Sequence, residues 1–259
     1  MISQAALGCL TLVALDQLWN ADFERSSFGT TNDNSQWLQM DKLGHVYAGY
    51  QLSRMGSETL NWAGVSKKDQ LIYGSALGLG FLTAVEVFDG FSQEWGFSWG
   101  DMLANIGGTG LFVGQELLWK EQRIALKYSF SRTKFASQNP DKLGNGFSEE
   151  FLKDYNGQTY WLSFNLNSFL KTNFIPNWLN LAVGYGADGM LSGRGDIIQF
   201  SNENRYRQFY LSFDIDLTRI KTNSNVLKTL FSVFNTIKVP LPTLEFNGKN
   251  RTKTHLIYF

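Results

Sequence analysis

The chain changes its hydrophobic rhythm part-way along. Up to about residue 120, apolar side chains run in uncharged blocks of helical length; from residue 121 they alternate with polar ones. The blocks predict helices. One begins near Asp41 and runs through Tyr47, Tyr50, Leu52 and Met55, with Gly56 and Gly64 as interruption and stop. The next starts at Ser66, whose spacing to Asp69 is a capping-box pattern, and continues through the uncharged stretch 71–85 to Gly90. A third starts at Ser98 with Asp101 three residues on, flanked by Phe97 and Met102 in hydrophobic-staple positions, and reaches about Trp119. Glycines four apart, Gly74 with Gly78 and Gly110 with Gly114, predict close backbone packing. The uncharged runs are shorter than the roughly 20 residues that span a bilayer, so a compact bundle is expected rather than spanning helices.

The alternation predicts two-faced strands. Ile124, Leu126, Tyr128 and Phe130 form one set, Tyr160, Leu162, Phe164 and Leu166 a second, and Leu181, Val183 and Tyr185 a third. Phe209, Leu211, Phe213, Ile215 and Leu217 stand against Tyr210, Ser212, Asp214, Asp216 and Thr218, Leu244 and Phe246 suggest another strand, and the chain closes on His255, Leu256, Ile257, Tyr258 and Phe259. A terminal strand ending on Phe resembles those of outer-membrane barrel proteins, and aromatic-rich alternating segments with few prolines fit a transmembrane barrel. A sheet packed with one face on a helical layer gives the same alternation. Five or six strands are visible, whereas a single-chain barrel has at least eight, so closure needs two more from segments 196–200 and 231–241. Segment 226–239 reads alternatively as an amphipathic helix, with Leu227, Leu230, Phe231 and Phe234 on one face and Lys228 and Lys238 elsewhere, suited to a membrane interface, a partner or a core. The expected fold class is therefore α+β: a Gly-rich helical bundle, residues 1–120, followed by an antiparallel β-sheet or small outer-membrane β-barrel, residues 121–259.

Charge supports that division. The 23 basic and 23 acidic residues cancel overall, but residues 1–120 carry six and twelve of them, residues 121–259 seventeen and eleven. A neutral chain gives no electrostatic case for nucleic acid. Aromatic content of 15% with only 18% charged residues excludes a disordered chain, and a single Cys excludes a disulfide scaffold. Residues 1–15 carry no charge but lack the basic region of a signal peptide; Cys9, after Leu7 and Gly8, has too few residues before it for lipidation, so it is expected to be a small buried cysteine and any export leader to have been removed.

Several polar residues sit oddly on apolar helices. Asp41 and His45, Glu86 and Asp89, and Asp101 and Asn105 are three or four apart, so each pair shares a helix face and three helices could aim them at one centre. Buried carboxylates need partners, and Lys42 and His45 are the nearest. The expected polar cluster is Asp41, Lys42, His45, Glu86, Asp89, Asp101 and Asn105, with His45, Glu86, Asp89 and Asp101 the candidates for acid–base work. Plainer roles compete: Asp101 and Asp41 as helix caps, His45 as a hydrogen-bonded core residue. Glu86 and Asp89 lie near a helix C-terminus, where the dipole disfavours them, so something else must hold them. One His among oxygens fits neither structural zinc nor a di-iron bundle, so no metal is assigned, although a hard ion such as magnesium or calcium stays open. No cofactor is expected, because no phosphate loop or other standard motif is present.

The runs Asp41-Lys42-Leu43-Gly44-His45, Glu86-Val87-Phe88-Asp89-Gly90 and Gly96-Phe97-Ser98-Trp99-Gly100-Asp101, with Asn105 and Gly108, resemble the YfiM-like family of uncharacterised Gram-negative envelope proteins, described as predicted periplasmic lipoproteins. A weaker similarity is to VanZ-like membrane proteins. The resemblance covers about residues 38–120 and implies a location at the outer membrane or its periplasmic face, without a reaction. Three functions are carried forward: a non-catalytic outer-membrane-associated subunit of a larger assembly, with outer-membrane lipid and other envelope proteins as partners; an enzyme acting on an envelope lipid or glycan; and a small lipid-binding or transport barrel. Whether the chain is an enzyme stays open.

Overall fold

A computed structural model describes Leu12 and residues 24–194, 204–249 and 251–259; Cys9 and the candidate strand 196–200 lie outside the described residues. Two compact units result: a helical unit of the described residues up to Ser35 with Asp41–Lys120, and a sheet unit of Gln36–Met40 with Glu121–Phe259.

The helical unit holds α1 (Met40–Trp62), α2 (Lys67–Asp89) and α3 (Trp99–Leu118). The predicted starts are real: Ser66 Oγ accepts from the Asp69 amide and Ser98 Oγ from the Asp101 amide, each satisfying a donor that the first helical turn leaves unpaired. α1 runs straight through Gly56, because that glycine serves packing rather than interruption. A Cβ there would lie 2.7 Å from the Gly74 carbonyl oxygen of α2, and one on Gly74 would lie 2.4 Å from the Ser57 nitrogen. The α1–α3 crossing is closer still, with a Cβ on Gly49 2.4 Å from the Asn105 oxygen and one on Gly108 1.9 Å from the Val46 oxygen. Gly110 and Gly114 face open space instead, which corrects the expectation that this pair makes the close approach. α2 is long and apolar enough to cross a membrane, longer than its uncharged run suggested, although core helices of water-soluble proteins pass the same test.

Before α3, β1 (Thr30–Thr31) pairs in parallel with β2 (Phe97–Ser98), and this two-residue ladder fixes the loop that follows Thr31 beside the start of α3.

The sheet unit is one six-stranded antiparallel meander: β3 (Ile124–Phe130), β4 (Gln158–Asn165), β5 (Leu179–Asp188), β6 (Tyr206–Ile215), β7 (Leu241–Asn247) and β8 (Arg251–Tyr258), each paired with the next. Short helices α4 (Pro140–Leu143), α5 (Phe147–Lys153) and α6 (Leu166–Leu170) occupy the turns. Among the described residues β3 and β8 do not pair, so the sheet is not closed into a barrel. The strand expected from 231–241 is absent. Ser224 caps α7 (Asn225–Phe234), and only Ile237 beyond it bridges to Tyr128 on the outer edge of β3.

The sheet curls tightly. Flat strands are about 4.8 Å apart, which would set β4 and β8 roughly 19 Å apart. Yet the Tyr258 hydroxyl on β8 lies 3.0 Å from Thr159 Oγ1 on β4, and Lys127 Nζ on β3 reaches Asp214 Oδ2 on β6 at 2.8 Å. The concave interior combines an aromatic cluster, Trp161 with Ala182, Tyr210 and Tyr258, with a polar network. Lys127 and Asp214 are fully buried, Ser163 Oγ donates to Asp214 at 2.6 Å, and Asn180 Nδ2 donates to Ser163 at 2.9 Å. Along β6 the buried positions are Gln208, Tyr210, Ser212 and Asp214, and the exposed ones Arg207, Phe209, Leu211 and Phe213. Strands β5 and β7 repeat the pattern with Asn180, Thr243 and Glu245 inside and Val183, Leu244 and Phe246 outside. The alternation expected of a sheet resting on a helical layer is thus reversed: the apolar face is the exposed one.

A separate apolar cluster at one end of the sheet unit joins Trp37 and Met40 to Ala136, Leu143, Ala187 and Met190. Trp37, Leu38 and Gln39 have φ of 49°, 51° and 67°, a left-handed turn that costs roughly 1–2 kcal/mol per residue. The Trp37 amide donating to the Gly193 oxygen at 2.8 Å, and Arg207 Nη2 donating to Gln39 Oε1 at 2.7 Å, help offset that cost.

Candidate functional site

Helix ends build the site. Asp41 and Lys42 occupy the first turn of α1 and His45 the next; Glu86 lies in the last turn of α2; Asp101 lies in the first turn of α3 and Asn105 one turn further. The glycine crossing of α1 and α3 brings their faces together here, since Gly49 lies against the backbone of Asn105 itself.

Two sub-networks share Asp41 and Asp101. In the first, Lys42 Nζ lies 2.7 Å from Asp33 Oδ1, 2.9 Å from Asp41 Oδ2 and 2.7 Å from Asp101 Oδ1. In the second, the His45 ring is clasped on both nitrogens. Nδ1 is 3.1 Å from Asn105 Oδ1 and 3.5 Å from Glu86 Oε1, while Nε2 is 3.7 Å from Asp41 Oδ1 and 3.6 Å from Asp101 Oδ1. The Asp101 carboxylate is therefore not spent on capping α3. The Ser98 amide points to Glu86 Oε2 at 3.4 Å, whereas in the plain cap of α2 the Asp69 carboxylate closes back onto Ser66.

Burial sets the protonation states. Desolvation raises the Glu86 pKa to about 8, against the pull of His45 and with added repulsion from Asp101 and Asp89. Asp101 is raised to about 7, first by desolvation and then by Asp41, with His45 and Lys42 opposing. Burial alone would lower the His45 pKa, but Asp41, Asp101 and Glu86 outweigh it and raise it above the usual value. Lys42 is likewise disfavoured by burial yet raised by its carboxylates, so it stays an ammonium.

Six of the seven expected cluster residues thus meet. Asp89 is set apart: it acts on Glu86 through its charge, and its backbone carbonyl accepts from the Ser92 and Gly96 amides at 2.9 Å. Asp33 was not anticipated. It sits in a polar loop with no helical spacing to betray it, and the β1–β2 pairing puts it within 2.7 Å of the Ser98 hydroxyl. Among the described residues, three buried atoms of this site have no hydrogen-bond partner: Glu86 Oε1, 3.5 Å from His45 Nδ1, Asn105 Nδ2, and Asp101 Oδ1, which is ion-paired to Lys42 at 2.7 Å. The ligand atoms of Asp41, His45 and Asp101 all lie within 4.8 Å of one another, the spacing of groups that could share a cation.

Residues 28–115 match the family described as predicted periplasmic lipoprotein (DUF2279). The match covers about a third of the chain and contains every residue of the site, Asp33 included. It ties this region to an uncharacterised family of envelope proteins. No curated protein and no solved structure matches the chain. Residues 121–259, which carry the six-stranded sheet, thus lie outside every match found.

Proposed function

We propose that the chain is an outer-membrane-associated envelope protein, a non-catalytic structural or accessory subunit whose sheet unit turns its apolar face to lipid. The reversed polarity of that sheet carries the reading. Leu162, Val183, Phe209, Leu211, Phe213, Leu244 and Phe246 are each 36–53% exposed on the convex face, while a buried lysine–aspartate pair with its amide and hydroxyl partners lies inside the concave one beside a Trp161 cluster. Transferring the exposed part of each such side chain out of water is worth about 1 kcal/mol, so the seven together favour a lipid contact strongly. The other face would gain nothing from lipid. α7 adds to this, with Val226, Leu227, Leu230, Val233 and Phe234 all exposed on a helix that carries Lys228 and is preceded by Lys221. The envelope family matched by residues 28–115 and the resemblance to YfiM-like and VanZ-like proteins fit the same location.

Fractionation tests it. The protein is expected in the membrane pellet after alkaline wash, released by mild detergent together with envelope proteins. Recovery as a monomer in the soluble fraction without detergent would overturn the reading.

One observation favours a second reading, an enzyme acting on an envelope lipid or glycan: buried Glu86 Oε1, 3.5 Å from Nδ1 of a histidine flanked by carboxylates, is an acid–base arrangement. Under it, His45→Ala abolishes the cellular phenotype at unchanged protein abundance.

A further inference from the structure

We propose that Asp41, His45 and Asp101 form a binding site for a divalent transition-metal cation of the zinc class, with Glu86 and Asn105 orienting the histidine and Lys42 standing in the site when the metal is absent. The argument starts from the two sides of the imidazole. Asn105 Oδ1 lies 3.1 Å from Nδ1, so the ring proton belongs there, with Glu86 Oε1 next to it at 3.5 Å. Nε2 then presents its lone pair to Asp41 Oδ1 and Asp101 Oδ1. Two carboxylate oxygens around Nε2 call for a positive charge there, either a second ring proton or a metal ion that displaces it.

The distances say what kind of charge. At 3.7 and 3.6 Å the oxygens are too far from Nε2 for hydrogen bonds. Ligands about 2.0–2.1 Å from a tetrahedral zinc are separated by roughly 3.3–3.4 Å, so the two imidazole–carboxylate edges need shift by only a few tenths of an ångström, and the two carboxylate oxygens, within 4.8 Å of one another, swing together to complete three of the four positions. The fourth stays open to water or substrate. One imidazole with two carboxylates suits zinc better than magnesium, which prefers oxygen alone.

A separate observation comes from the other side of the ring. Glu86 is 1% exposed and its Oε1 has no hydrogen-bond partner, yet it is aimed at His45 Nδ1. Outer-shell oxygens behind a metal-bound histidine orient its ring and sharpen the basicity of the coordinating nitrogen: Asn105 Oδ1 accepts the ring N–H at 3.1 Å, and Glu86 Oε1 supports it electrostatically at 3.5 Å. Metal on Nε2 gives that orphaned oxygen its function. The charges also balance. Asp33, Asp41 and Asp101 surround the single Lys42 ammonium, an excess of negative charge that a dication removes. Asp33, which also accepts from the Ser98 hydroxyl at 2.7 Å, retains the Lys42 ammonium at 2.7 Å when Asp41 and Asp101 turn to the metal.

The test uses the full chain in mild detergent, stripped with chelator, and titrates it with zinc chloride by calorimetry, with metal analysis after dialysis. One zinc per chain is expected, bound far more tightly than magnesium. Asp41→Asn and His45→Gln should abolish binding, and Glu86→Gln should weaken it about 10–100-fold. Lys42→Met, which removes the competing ammonium, should bind zinc at least as tightly as the native chain. Cobalt(II) supplies a readout independent of affinity: the native protein should show the intense visible absorption of a four-coordinate site, shifted in Glu86→Gln. His255→Ala, at the other histidine–carboxylate pair, should change nothing. No zinc binding by either the native chain or Lys42→Met overturns the proposal, as do equal zinc affinity in folded Asp41→Asn and His45→Gln or equal affinity for magnesium. None of these outcomes bears on membrane association.

Discussion

Replacing Glu86 by Gln should flatten the pH dependence of stability. The carboxyl is 1% exposed, and its pKa rises from an ordinary 4.5 to about 8. A raised acid stabilises the fold fully below the unfolded value and loses that contribution as pH climbs through the folded one. Native stability should therefore fall with rising pH, and linkage between these two values puts the loss due to Glu86 at about 2–3 kcal/mol from pH 6 to pH 9. Asp101, raised to about 7, and His45 titrate in the same direction and remain in the variant. The readout is thus the difference between two profiles. Urea unfolding of metal-free native protein and Glu86→Gln in detergent, followed by helix circular dichroism at pH 6, 7, 8 and 9, should show the curves diverging, with the variant gaining relative stability at the alkaline end. Parallel curves would refute the claim that burial holds this carboxyl neutral.

Other perturbations separate packing from surface. Gly108→Ala puts a methyl 1.9 Å from the Val46 oxygen and should cost about 2–3 kcal/mol in thermal unfolding, whereas Gly110→Ala, facing open space, should be neutral or stabilise by up to about 1 kcal/mol. Asp214→Ala strands the buried Lys127 ammonium and should cost about 3–5 kcal/mol; pairing it with Lys127→Met should recover most of the loss. Phe209→Asp with Phe213→Asp on the convex face should shift the protein from the membrane pellet to the soluble fraction without changing its circular dichroism. An unchanged pellet would remove that face as the lipid contact.

Much of this protein follows from local rules that need no partner. Ser66 and Ser98 start helices because a side-chain oxygen three residues before an amide satisfies it wherever the rest of the chain goes, and the period-two run from Phe209 to Ile215 can only be a two-faced strand. Helical spacing likewise put Asp41 with His45 and Asp101 with Asn105 on common faces. What local rules cannot give is which face turns inward, since alternation is symmetric about the sheet. Only the curl, with Lys127 reaching Asp214 across three strands, decided that the polar side is the buried one. The site divides the same way. Asp33 joined through the β1–β2 pairing, and His45 gained Asp101 on one nitrogen and Asn105 on the other through the glycine crossing of α1 and α3. Those contacts join residues some sixty positions apart, where chain spacing carries no information and backbone approach carries all of it.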